Sequence, residues 1–269
     1  MPRSASNFLP IACINSIRLA ARCDRTVLLA LNNNDPRCSA PVTDLVILDF
    51  DGVVADSEVI SLGSLQSALK DFGVVFDLPE TRRRFLGKSL NAIKADASQI
   101  APEGKWDGFE NHWHSILFER FSKELVPVAG VADFLARLKA DGLPYCIASS
   151  SGFERIYFAL SVMKLTDHFP CVYSAQQVTQ GKPAPDLFLY AARSMNIAPE
   201  RCVVIEDSPY GILAARAAGM RSIGFLGGQH LAGSQKSHRQ LLLAQGAHEI
   251  VDALDEITFE GQAHLQDRV

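Results

Sequence analysis

The sequence predicts an α/β fold: a doubly wound parallel sheet carrying an inserted all-helical domain. Three observations predict it. Short apolar runs at 145–148, 171–174, 202–205 and 222–225 are each separated by a helical pattern, the signature of strands joined by helical crossovers. A further apolar run, 46–48, ends on Asp49-Phe50-Asp51-Gly52, and open parallel sheets bind their ligands past such strand ends. Between that run and the next, apolar residues such as Leu62, Leu65, Leu69 and Phe72 recur at helical rather than alternating spacing.

The elements follow in order. Residues 1–43 contain no Lys and no Glu and end near the turn-rich Asn32-Asn33-Asn34-Asp35-Pro36, so they read as an extension outside the core. Arg3, Arg18 and Arg22 give this leader a faint likeness to an organelle-targeting peptide. Residues 44–58 supply the first core strand and the turn after it. Residues 59–127 form the helical insert, broken by a loop at 85–90 and closed by an aromatic-rich helix over 106–125. Residues 128–255 resume the core with a helix near Gly130 that stops at Asp141-Gly142, then the alternating strands and helices, a helix over 234–245 and an edge strand over 249–251. Residues 256–269 read as a frayed tail.

Composition narrows the function classes. A chain of 269 residues with 48% hydrophobic content has enough apolar surface for a large core. Its net charge of −4 and the absence of a basic run with interleaved aromatics argue against nucleic acid as a partner. No apolar run reaches the roughly 18 residues of a membrane span. Cys13, Cys23, Cys38, Cys146, Cys171 and Cys202 show no C-x-x-C spacing, which suits reduced thiols of a cytoplasmic protein. A monomer is the default reading.

Four local patterns carry chemistry. Asp49 and Asp51 stand two apart at a strand end and project into one crevice if the strand persists. Two close carboxylates repel unless a cation or shared proton compensates. Ser149 and Ser150, between a strand and a helix start, offer a hydroxyl and a backbone N–H to a phosphate. Lys182, in Gly181-Lys182-Pro183-Ala184-Pro185, is a point charge on a stiff connection that can neutralise phosphoryl oxygens. Glu206 and Asp207 end the fourth strand, and across the crevice from Asp49 and Asp51 they form a metal site suited to Mg²⁺, which prefers hard oxygen ligands. Gly211, Ala214, Ala215, Ala217, Ala218 and Gly219 then let the next helix approach the sheet.

The order D-x-D-G with D-S-E, then S-S-S, K-P-x-P and E-D-S-x-x-G, over residues 44–254, resembles the haloacid dehalogenase superfamily, in the helical-cap branch of β-phosphoglucomutase and sugar-phosphate phosphatases. The resemblance implies a Rossmann-like core and a Mg²⁺-dependent phosphomonoester hydrolase acting through an aspartyl phosphate on a small phosphorylated metabolite, a sugar, sugar-acid or sugar-alcohol phosphate. It implies Asp49 as nucleophile and Asp51 as general acid/base. Metal ligation would come from Asp49, the Asp51 carbonyl, Asp207 and Glu206, the last directly or through water. The cap loop, with Gly87 and Lys88, is where specificity contacts are expected, Lys88 facing a second anionic group. A sugar phosphomutase is the nearest alternative, but such mutases carry a His and an Arg where this chain has Ser61 and Leu90. A dehalogenase would not need Asp51 or the Glu206-Asp207 pair, and the related phosphonate hydrolases have a small residue where Asp51 stands. A non-catalytic phosphometabolite-binding module on the same fold is the alternative from another class.

Overall fold

The strand Leu45–Leu48 (β1) is apolar on both faces and wholly buried, the pattern of a parallel strand covered by helices on either side. In the computed structural model, which describes residues 42–85, 90–101 and 106–259, β1 lies inside a six-stranded parallel sheet. The other strands are β2 (Tyr145–Ser149), β3 (Val172–Ser174), β4 (Cys202–Glu206), β5 (Arg221–Phe225) and β6 (Glu249–Val251). Their order is β3-β2-β1-β4-β5-β6. The chain steps outward from β1 to β3 and then returns to β4 on the other side of β1. Strand order therefore reverses between β1 and β4, and at such a switch point a crevice opens beyond the carboxyl ends.

Among the described residues, four helices follow β1 before the chain re-enters the core: α1 (Glu58–Asp71), α2 (Leu78–Phe85), α3 (Leu90–Ile100) and α4 (Phe109–Glu124). They bury a cluster of their own that includes Leu65, Leu69, Phe85 and Phe109, with Phe72 edge-on to Phe109 at 5.1 Å. Ile60 of α1 and Leu117 and Phe121 of α4 join the core of the sheet instead, so the first and last of these helices share apolar contacts with the sheet. Helix α4 starts later than its aromatic pattern predicts. Gly108 holds a left-handed φ of 81° just before it, and Trp106 sits outside, donating its indole N–H to the Ala101 carbonyl at 3.1 Å.

Helix α5 (Val131–Ala140) re-enters the core, and α6 (Phe153–Val162), α7 (Asp186–Ser194), α8 (Pro209–Ala217) and α9 (Gln235–Gln245) follow β2, β3, β4 and β5 in turn. All described residues belong to one compact unit, Pro41–Val269. The core extends past residue 255, which corrects the expectation of a tail from 256. Ile257 is buried, Arg137 of α5 donates to the Leu254 and Ile257 carbonyls at 2.7 and 3.3 Å, and Phe259 packs on Phe134. Cys146 and Cys202 are buried free thiols, whereas Cys171 is disulfide-bonded, against the expectation of reduced thiols throughout. Among the described residues no helix is long and apolar enough to cross a membrane. The leader up to residue 41 and the expected contacts at Gly87 and Lys88 lie outside the described residues.

Candidate active site

Strand register brings two acids together. Leu48 pairs with Ile205, so Asp49 and Glu206, the next residue on each strand, come abreast at the carboxyl edge of the sheet. The Asp49 N–H continues the ladder by donating to the Ile205 carbonyl at 2.9 Å. On the other side Leu48 pairs with Ile147, which sets Ala148 beside the same point. Lys182 Nζ reaches all three strand ends, donating to Asp49 Oδ1 at 2.5 Å, Glu206 Oε1 at 2.6 Å and the Ala148 carbonyl at 3.0 Å.

Asp207 completes the cluster. Asp49, Glu206 and Asp207 each place a carboxylate oxygen within 4.8 Å of the others, all three residues being buried. Three buried acids against one lysine leave negative charge uncompensated, and hard oxygen donors at this spacing fit a divalent cation. The surrounding backbone is shaped for the cluster. Gly52 has φ 85°, and a Cβ there would sit 1.9 Å from Asp207 Oδ2. At Gly211, in the first turns of α8, a Cβ would meet Glu206 Oε1 at 1.8 Å, so the small-residue pattern after Asp207 serves close approach to Glu206 itself.

Charge and burial set the proton affinities. Burial, joined by the Glu206 and Asp51 charges, lifts Asp49 to about 7 against the pull of Lys182. Burial raises Glu206 and Asp207 as well, with Asp49 adding to the rise at Asp207. Burial disfavours the Lys182 ammonium, but Asp49 and Glu206 outweigh it and hold the proton more tightly than usual.

Asp51 belongs to a different network. Strand β1 ends at Leu48, and the chain folds into a tight turn in which the Phe50 carbonyl accepts from the Val54 and Ala55 N–H groups at 3.0 and 2.9 Å. In this turn the Asp51 carboxylate takes hydrogen-bond partners of its own, while its charge still bears on Asp49 and Asp207. Its Oδ1 accepts from the Ser57 hydroxyl and from Arg155 at 2.6 Å, and its Oδ2 accepts from the Ser151 hydroxyl at 2.6 Å. Burial alone would raise Asp51, but Arg155 and the two hydroxyls outweigh it and bring it below the usual carboxylate value.

The serine loop is only partly as expected. Ser149 is buried at the end of β2, and its Oγ accepts from the Ser151 N–H at 3.0 Å. Ser150 is exposed, and Ser151 is the residue that touches Asp51. Sequence reasoning also missed Arg155 on α6, which donates to Ser61 Oγ of α1 at 2.8 Å and lies over the Phe121 ring of α4. It missed His230, whose Nε2 lies 3.1 Å from Asp207 Oδ2. Ser57 lies in the D-S-E pattern and Ser151 in the S-S-S pattern; nothing local distinguishes Arg155 or His230.

Residues 46–225 match the sequence profile of the haloacid dehalogenase-like hydrolases. The chain belongs to this family. Among its haloacid dehalogenase-like relatives is the 6-phosphogluconate phosphatase of Escherichia coli, 27% identical over 190 residues that cover 70% of this chain and 84% of that one. The β-phosphoglucomutase of Bacillus subtilis is 28% identical, over 72% of this chain and 88% of that enzyme. A solved haloacid dehalogenase family hydrolase from Deinococcus radiodurans, crystallised with bound phosphate and sodium, superposes with a TM-score of 0.65 at 32% identity, covering 81% and 94% of the two chains. Within the haloacid dehalogenase-like hydrolases, this chain is an enzyme of the phosphomonoesterase kind.

Proposed function

We propose that this enzyme is a Mg²⁺-dependent phosphatase that forms a phosphoryl ester on Asp49 and acts on a small phosphorylated sugar, sugar acid or sugar alcohol. The observation that carries the reading is Lys182 Nζ held between Asp49 and Glu206 at the switch point, with Asp51 beside them on separate partners. Asp49, Glu206 and Asp207 fit a divalent cation by donor type and spacing, and the Asp51 carbonyl is assigned as a further ligand. When bound, Mg²⁺ supplies positive charge for the phosphoryl oxygens.

The side chains then divide the work. An Asp49 oxygen attacks phosphorus and the bond from phosphorus to the leaving oxygen breaks, while Lys182 stabilises the equatorial charge. Asp51 gives a proton to the departing alkoxide. Its surroundings favour the carboxylate in the free enzyme, and the arriving phosphate dianion raises its proton affinity as substrate binds. Asp51 next takes a proton from water as that water attacks the phosphoryl group, releasing inorganic phosphate and restoring Asp49. Ser149 and the Ser150 N–H are assigned to phosphate binding, and Gly87 and Lys88 to the leaving group.

The proposed domains are a leader over 1–43, a catalytic core at 44–58 and 128–255 whose packing runs on to Phe259, and a helical cap over 59–127. The core is read as a monomer without nucleic-acid partners. The test is a panel of phosphate monoesters with released phosphate as readout. Turnover that needs added magnesium and vanishes in Asp49→Asn is expected; turnover in excess chelator, or in Asp49→Asn, would remove the reading.

A further inference from the structure

Three consecutive arginines on α2 are used differently. Arg83 and Arg84 both pair with Glu80, at 2.6 and 2.5 Å. Arg82 makes no hydrogen bond or ion pair with the described residues and lines a cavity of about 260 Å³ between α1, α2 and the loop after β5. Glu58 and His230 share the cavity wall with it, and Val59, Leu62 and Leu78 form the apolar remainder. A half-buried guanidinium lining a cavity without a partner among the described residues keeps its donors available to a ligand.

The cavity joins the catalytic cluster at two points. His230 contacts Asp207 through Nε2 at 3.1 Å, is nine-tenths buried, and leaves Nδ1 buried without a partner. Glu58 directly follows Ser57, whose hydroxyl donates to Asp51.

We infer that this cavity is the leaving-group site and that Arg82 selects a substrate whose distal end is a carboxylate, a polyhydroxy-acid phosphate. The inference rests on the phosphatase reading above and names its substrate class. Size argues for a short carbon chain, because the cavity falls just under the roughly 300 Å³ at which small-molecule sites begin, too little for a nucleotide. Charge argues for one negative group. A guanidinium fork matches carboxylate and phosphate alike; Glu58 in the same wall, whose proton affinity burial lifts to about 7, exchanges hydrogen bonds with hydroxyls and, in its ionised fraction, disfavours a dianionic second phosphate more than a carboxylate. Val59, Leu62 and Leu78 cover the C–H face of the chain.

The test uses two esters with the same six-carbon skeleton, 6-phosphogluconate and glucitol 6-phosphate, which differ at the far end as carboxylate against hydroxymethyl. One charge-assisted bond in a partly desolvated site corresponds to a preference of about 10- to 100-fold in kcat/KM for the acid. Arg82→Gln should erase most of that preference by raising KM for the acid far more than for the polyol, and Arg82→Lys should keep part of it. Binding to the full chain carrying Asp49→Asn, followed by calorimetry with and without Arg82→Gln, reads the same preference without turnover. If neither ester is hydrolysed but the Asp49→Asn chain holds the acid more tightly through Arg82, the site stands and the phosphatase reading falls. If both esters are hydrolysed alike, or Arg82→Gln weakens both equally, the site assignment is overturned and the phosphatase reading stands. Absence of discrimination in both assays also overturns it.

Discussion

Arg155 Nη2 lies 2.6 Å from Asp51 Oδ1, although α6 and the turn after β1 are 104 residues apart in the chain. The same guanidinium reaches Ser61 on α1 at 2.8 Å and covers the Phe121 ring of α4. One side chain of the core therefore touches the proposed acid/base and both helices that link the insert to the sheet. Arg155→Ala should lower kcat by about 10- to 100-fold, the cost of a lost charge-assisted hydrogen bond, with a smaller effect on KM. The loss should be greater for alkyl than for aryl phosphates, whose leaving groups need little protonation. Equal losses on both would show that Arg155 does not position Asp51.

Asp49→Asn and Asp51→Asn should fail in different ways. The first removes the attacking oxygen, and no phosphorylated protein should form with any ester. The second keeps the attacking oxygen but loses the proton donor and the base for hydrolysis, so with an aryl phosphate it should phosphorylate slowly and accumulate modified Asp49. Intact-mass measurement after rapid quenching, followed by peptide mapping, reads both. A phosphorylated Asp51 would reverse the assignment.

Stability should respond to pH through the buried acids. The folded-state pKa of Asp49 is raised to about 7 from an ordinary 3.8, so the folded chain binds this proton more tightly than the unfolded chain does. Its contribution is complete below the ordinary value and is lost as pH climbs to about 7. His230 runs the other way, since burial lowers it, and comparison with Asp49→Asn cancels that background. Without metal, the Tm of the unmodified chain minus that of Asp49→Asn should fall between about pH 4 and about pH 7.5. Magnesium should raise the Tm of the unmodified chain at the upper pH by binding the native state alone. A difference that stays flat across this range would place Asp49 outside a charge-burdened cluster.

Gly211→Ala should disable the site by displacement. The added Cβ falls 1.8 Å from Glu206 Oε1, and the carboxylate must move, breaking its 2.6 Å contact with Lys182. Overpacking of this kind costs about 1–3 kcal/mol, and a larger effect on kcat than on Tm is expected because the displaced atom is at the proposed metal cluster. Gly219→Ala is a control of another sort: its Cβ meets nothing within 4 Å but its φ is 70°, so it should lower Tm and leave kcat near normal. Similar kcat for the two variants would mean that Glu206 tolerates the shift.

The sheet and the four acids were legible because each depends on a few adjacent residues. β-branched runs ending in Asp49 or Glu206 specify both strand and position, and parallel register then sets them abreast. Lys182 was legible from the prolines that follow it. What the string could not show is which side chains meet across helices. Arg155 and Ser151 reach Asp51 from the loop and helix after β2, about 100 residues away in the chain, and the partition of Asp49 and Asp51 into separate networks follows from β1 ending at Leu48, one residue before the first acid. Arg82 differs from Arg83 and Arg84 only in which face of α2 it occupies relative to Glu80. The disulfide at Cys171 has no local signature, since cysteine spacing alone does not give connectivity.

The fate of the phosphoryl group decides between hydrolysis and the mutase chemistry named for the Bacillus subtilis relative. A mutase must keep phosphorylated Asp49 from water until a second sugar hydroxyl collects the group. The mutase pattern has an imidazole at the position of Ser61, and here a short hydroxyl stands there instead, buried and accepting from Arg155. Arg155 ties that hydroxyl into the Asp51 network, leaving no imidazole on α1 to meet an incoming sugar. With Asp51 held as a carboxylate by Arg155, Ser57 and Ser151, water has a base next to the phosphoryl group, and hydrolysis should win. Phosphorus NMR of the enzyme with hexose and pentose phosphates should show inorganic phosphate in equal amount to the ester consumed, no positional isomer, and no stimulation by a sugar bisphosphate. Ser61→His tests the cause: if the missing imidazole matters, the variant should divert part of the phosphoryl group to a bisphosphate or an isomer at the expense of free phosphate. An isomer formed by the unmodified chain without phosphate release would establish the mutase instead.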